Sequence, residues 1–164
     1  MMYYINPAQW QLPEQDTNPI TYRLSNEQDK PFIYASWLSS EKNNTPAYLT
    51  PKLTYQQEQT KKIDYLLTKS QTFMALLDPL QDEPDVLIAY LTYQYLNDHL
   101  IVHYAFTKSS YRQLHFQSKM LELVNPLNQP IILTCQPDKK ILTNLQKKHQ
   151  IFYDHFYFQR NFYV

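Results

Sequence analysis

The residues best suited to bind a metal or to act as nucleophiles are five histidines, at 99, 103, 115, 149 and 155, and one cysteine, Cys135. Their spacing matches no metal motif. There is no H-E-x-x-H pair and no second cysteine to share a zinc ion, so no metal is expected. Cys135 closes the apolar run Ile131-Ile132-Leu133-Thr134-Cys135. A reactive thiol needs a cationic, partly exposed setting, so Cys135 reads as a small buried hydrophobe. His103 falls on an alternating segment and reads as a core or sheet-face side chain. A Ser-His-Asp triad is a spatial arrangement, and no spacing points to one. The Lys139-Lys140 and Lys147-Lys148 pairs read as the wet face of a helix.

The chain contains no glycine, where 164 residues of ordinary composition would carry about 11. Only glycine takes positive φ at low cost and lets a phosphate approach the backbone closely. Its absence excludes a Walker loop, a dinucleotide fingerprint and a nucleophile elbow of the usual form. Ala (6), Val (4) and Arg (3) are scarce too, while Gln (17), Tyr (15) and Thr (12) are plentiful. Coding bias against guanine accounts for that pattern without selection on the protein. Fifteen basic and fifteen acidic residues balance, so no nucleic-acid partner is expected. No run of 18 apolar residues occurs, and no membrane partner is expected. The opening Met1-Met2-Tyr3-Tyr4-Ile5-Asn6-Pro7 lacks a signal-peptide pattern, so a cytoplasmic, reducing setting is expected.

The elements that must position any site follow from patterning. Residues 1–19 are rich in Pro, Gln, Asn and Asp, lack periodicity, and read as an extended N-terminal arm. Residues 20–164 read as a single domain. Residues 20–24 alternate as a first strand. Ser25-Asn26-Glu27-Gln28 resembles a capping box with Ser25 as cap and Gln28 reaching back. The helix that follows shows Phe32, Ile33, Ser36 and Trp37 on one face. Thr50 and Pro51 open a second helix as cap and first residue, running to about residue 70. Strands are expected at 72–77, 86–96 and 100–107, the last two joined through Asn97-Asp98 as a hairpin turn. A helix at 112–124, a strand at 131–135, a helix capped by Asp138 and a final strand at 151–158 complete the order. The expectation is an α+β (mixed α/β) domain: a central, mostly antiparallel sheet of about six strands flanked by four helices.

Two segments resemble GNAT-type N-acetyltransferases, in particular small GNAT-like proteins encoded by bacteriophages. The first is Ile20-Thr21-Tyr22-Arg23 followed by Asp29-Lys30-Pro31-Phe32-Ile33-Tyr34-Ala35-Ser36-Trp37-Leu38. The second is His103-Tyr104-Ala105-Phe106-Thr107-Lys108-Ser109-Ser110-Tyr111-Arg112, which resembles the family's H-Y-V-Y-V-K strand running into F-R-R-x-G-I-A. The resemblance implies a GNAT-like fold. It also implies an acyl-CoA loop at Arg112-Gln113-Leu114-His115-Phe116-Gln117, and pairing of Ala105, Phe106 and Thr107 with pantetheine. In the family's Q/R-x-x-G-x-G/A pattern, backbone amides at a helix N-terminus hold the pyrophosphate.

The loop departs from that pattern. His115 stands where glycine is expected, and Gln117 where a small residue is expected. A side chain at either position would intrude on the cradle, while Lys108, Arg112 and Lys119 still make the helix terminus positive. The resemblance places a leaving-group acid near Tyr153 or Tyr157, the two candidate catalytic residues, and Asp78 and Glu83 are candidate bases. The reading that follows is a catalytically degenerate GNAT-like protein with no cofactor. It would work by protein–protein contact through its arm and exposed aromatic strand ends, as a phage virion or assembly component in the host cytoplasm. The alternative is an active N-acetyltransferase using acetyl-CoA through an atypical loop, in which Arg112 and helix-terminal amides hold the diphosphate.

Overall fold

The computed structural model describes residues 3–5, 20–42, 49–77, 86–114 and 116–162. Its elements in chain order are β1 (Tyr3–Ile5), β2 (Ile20–Leu24), α1 (Lys30–Glu41), α2 (Lys52–Lys69), β3 (Gln71–Leu77), β4 (Val86–Leu96) and β5 (His99–Thr107). Then follow α3 (Phe116–Val124), β6 (Ile131–Leu133), α4 (Lys139–Gln146), β7 (Ile151–Tyr153) and α5 (Tyr157–Phe162). Tight 3-10 turns occupy Glu27–Asp29 and Ser109–Leu114.

The seven strands form one sheet in sequence order. β1 to β5 are antiparallel neighbours, while β6 and β7 join in parallel. The α+β class and mostly antiparallel sheet therefore stand, with one strand and one helix more than expected. The additional strand is β1, which takes three residues of the N-terminal arm to the sheet edge. The rest of the arm lies outside the described residues.

Apolar residues on both faces give two core clusters, so the sheet is sandwiched between helices. One face packs Ile20, Tyr22, Leu91 and Val102 with Phe116, Met120 and Leu121 of α3. The other packs Met74, Tyr90 and Tyr104 with Ile33 and Trp37 of α1 and Ile63 and Leu66 of α2. Trp37 lies flat on Tyr104 at 4.7 Å between ring centroids. Burying Trp37 against Tyr104 and Tyr90 is the main force holding α1 to the strands.

Local chemistry sets the boundaries. Asn97 (φ 51°) and Asp98 (φ 61°) turn the β4–β5 hairpin in the left-handed region, which these two residues enter more easily than others. Asp138 caps α4 by accepting from Lys140 N–H at 2.8 Å. The first capping box sits one residue later than the sequence implied. The Asn26 side chain accepts from Gln28 N–H at 2.9 Å, and Asp29 accepts from Asn26 N–H at 2.7 Å. Ser25 is taken by the sheet, its N–H donating to Thr72 O at 2.8 Å, so the chain stays extended through it. Pro51, with extended ψ of 137°, precedes α2 in place of Thr50. The helix expected from 112 starts at Phe116, and the strand expected to reach Cys135 stops at Leu133. The final strand ends at Tyr153 rather than 158. There Asp154 accepts from Phe156 N–H at 3.0 Å and turns the chain into α5. Among the described residues no helix is long and apolar enough to cross a membrane.

Candidate functional site

β5 runs on past the end of β6. Their pairing stops at Val102 opposite Leu133, and Thr134 N–H makes one last bond to Val102 O at 3.0 Å. From His103 to Thr107 the strand has β4 on one side only. Thr92 pairs with Tyr104 while Tyr93 pairs with Val102, so His103 is an extra residue, a bulge in β5. The bulge resets which backbone groups face β4. Lys108 N–H bonds Ile88 O at 2.9 Å, so by alternation Ala105 and Thr107 present their backbone toward the side β6 has left. Ala105 is exposed although it lies in the fifth of seven strands. Its N–H acts on the Cys135 thiol, favouring the thiolate, and Thr107 O accepts from Arg112 Nε at 3.2 Å.

The loop after β5 is a 3-10 turn, closed at its start by Tyr111 N–H on Lys108 O at 2.9 Å. Lys108 Nζ stands 6.0 Å from the centre of the Phe32 ring. Lys119 meets Glu122 at 3.6 Å. Gln117 points into the β4–β5 ladder: its Nε2 lies 2.7 Å from Phe106 O, 3.0 Å from Thr107 Oγ1 and 3.3 Å from Tyr90 O. It pins the first turn of α3 to the sheet. Gln113 and Leu114 belong to the 3-10 turn, and Phe116 is buried as the first residue of α3. His115, Asp78 and Glu83 lie outside the described residues.

The two candidate tyrosines occupy different settings. Tyr153 sits on β7 opposite Leu133, its hydroxyl 3.0 Å from His155 Nδ1. Burial raises its pKa first, followed by Cys135, Glu41 and Asp154. Tyr157 is buried in α5. Burial raises its pKa first, opposed by Arg160 and assisted by Asp154. Cys135 and Glu41 thus act on Tyr153 and not on Tyr157.

Three further residues whose electrostatics are coupled, Glu41, Tyr55 and Tyr104, escaped the sequence reading. Tyr104 is pushed up to about 12 by burial, with Cys135 and Glu41 adding to it and Ser40 and Arg112 opposing. Burial, then Glu41 and Tyr104, push Tyr55 up to about 12. Cys135 follows β6 as a half-buried residue, not a strand residue. Burial of its thiol, then Glu41, push it up to about 12, so it is a neutral thiol at pH 7. A serine every fourth residue in α1, Ser36 and Ser40, was the available sign that this helix turns hydroxyls toward strand tyrosines. His103 is buried, its Nδ1 3.0 Å from Thr134 Oγ1. Among the described residues no three His, Cys, Asp or Glu side chains gather to hold a metal ion.

No family model matches the chain, and no curated protein matches it. Solved structures do. A possible acetyltransferase from Clostridium difficile 630 aligns with a TM-score of 0.56 at 13% identity, covering 82% of this chain and 93% of that one. The fold is GNAT-like. An acetyltransferase of the GNAT family from Staphylococcus aureus Mu50 aligns at 18% identity over 76% of this chain and 78% of that one, with a TM-score of 0.47. Likeness at such identities concerns the fold. In this GNAT-like frame, Arg112, Gln113 and Leu114 lie in the turn after β5, Phe116 and Gln117 open α3, and the stretch of β5 beyond β6 includes Ala105, Phe106 and Thr107.

Proposed function

We propose that this chain is an acyl-CoA-dependent N-acetyltransferase whose diphosphate loop works without glycine. The observation that carries the reading is the bare edge of β5. Ala105 is exposed in mid-sheet and Tyr153 stands nearby on β7. The fit to the coenzyme has two parts. Gln117 is tied to Phe106 O and Tyr90 O, which keeps its amide off the gap. A Cβ at 115 is the feature that a glycine-lined cradle would lack.

Acetyl-CoA would supply an acetyl thioester, attacked by a neutral amine so that a C–N bond forms as the C–S bond breaks and the amine's proton passes to solvent. Arg112 and the amides opening α3 would hold the diphosphate. Ala105 and Thr107 would pair with the pantetheine amides along this edge, displacing Cys135 from Ala105 N–H and Arg112 from Thr107 O. Tyr153, kept protonated by its surroundings, would give its hydroxyl proton to the departing thiolate and recover one from solvent. Thiol release from acetyl-CoA with a panel of amines tests the reading. The unmodified chain is expected to turn over, and Arg112→Glu to lose at least tenfold in kcat/KM. Equal rates in both proteins would contradict the role given to Arg112.

A second reading is favoured by His115 at the family's glycine position. In it the chain has lost transfer and acts by protein–protein contact, as a phage virion or assembly component. Exposed Phe152 (51%) and Phe156 (57%) beside the β7 edge would be part of its docking surface.

A further inference from the structure

We infer that Gln117 is a positioning residue for the diphosphate half of acetyl-CoA: it clamps the first turn of α3 to the end of β5 and so fixes the direction of the amides that open the helix. The inference rests on the acyl-transfer reading and deepens it. Gln117 is the second residue of α3. Its Nε2 lies 2.7 Å from Phe106 O and 3.0 Å from Thr107 Oγ1, with Tyr90 O a third acceptor at 3.3 Å. Tyr90 and Phe106 are register partners on β4 and β5, so the amide sits over one rung of that ladder. The turn before the helix reaches the same strand end, since Arg112 Nε donates to Thr107 O at 3.2 Å. Tyr111 of that turn meets the Phe116 ring edge-on at 6.2 Å. Thr107 is thus a point to which both the turn and the helix are tied.

The two ties differ in what coenzyme binding does to them. Pairing of Thr107 with pantetheine displaces Arg112 from Thr107 O and frees its guanidinium for the diphosphate. The Gln117 bonds go to the Thr107 hydroxyl and to carbonyls within the β4–β5 ladder, so they persist when the other edge of β5 is filled. Helix amides bind an anion best when their direction is set before it arrives. Gln117 Oε1, by contrast, is buried without a hydrogen-bond partner among the described residues. An unpaired buried acceptor costs stability, so packing alone favours an apolar side chain of this length. What the amide contributes is the grip of its nitrogen on the strand end.

Gln117→Met keeps the length of the side chain and removes the donor. Gln117→Glu keeps its shape and also removes the donor, so the test does not hang on one variant folding. Each full chain is titrated with acetyl-CoA and with S-acetylpantetheine, which lacks the diphosphate, and binding is followed by chemical shifts. The unmodified chain is expected to bind acetyl-CoA at least tenfold more tightly than S-acetylpantetheine. In both variants that advantage is expected to shrink to about threefold or less, with S-acetylpantetheine binding unchanged. An advantage kept in the variants, or both ligands weakened alike, overturns the assignment and leaves the transfer reading standing. No binding of acetyl-CoA to the unmodified chain removes that reading, and the role of Gln117 with it.

Discussion

His103 is the residue that β5 takes in as its bulge, and its burial makes it a pH-sensitive point in the fold. Desolvation, and then the charge of Lys62, lower its imidazole from 6.5 to about 4. The ring is neutral in the folded protein at pH 7. Between pH 6.5 and 4 the unfolded chain takes up this proton first, so stability falls as the pH drops through that window and levels off below it. A shift of this size corresponds to about 3 kcal/mol. Urea unfolding at pH 7 and pH 4.5 measures the loss, and His103→Gln is expected to remove most of it. If the variant loses as much as the unmodified chain, the acid sensitivity lies in other groups.

At the scale of elements, the capping box before α1 links the strand that precedes the helix to the helix itself. Asp29 accepts from Asn26 N–H and forms a two-point pair with Arg23 of β2, at 2.7 and 3.0 Å. Burial acts to raise the Asp29 carboxyl, and the Arg23 and Asn26 hydrogen bonds outweigh it and hold it below its ordinary value. Both side chains are mostly shielded, at 21% and 15% exposure, so the pair counts for more than a surface contact. Asp29→Asn is expected to cost about 1–2 kcal/mol in urea unfolding at pH 7. No change in midpoint would show that β2 and α1 are held by core packing alone.

The same elements show what a sequence makes legible. Asn97-Asp98 and Asp138 were readable because their roles are local: a side chain and the backbone within three residues of it. Ser25 misled because its N–H is claimed by Thr72, 47 positions away, and no local pattern records that. Residues 154–158 looked like strand because they are aromatic, yet the Asp154 turn overrides that propensity. The gap at β5 was invisible for the same reason: it depends on which strand ends first, a property of the assembled sheet.

At the scale of the whole molecule, the seven strands among the described residues lie between helices in a GNAT-like frame built without glycine. Asn97, Asp98 and Asn128 take the positive φ angles among the described residues. Tightening of the chain in its turns is thus met by other side chains. Isothermal titration of acetyl-CoA into the unmodified full chain at pH 7.5 and low salt tests the proposed coenzyme site most directly. One site per chain with micromolar affinity is expected, weakened at least tenfold in Arg112→Glu. Absence of binding up to millimolar acetyl-CoA would contradict it and leave the protein-contact reading in its place.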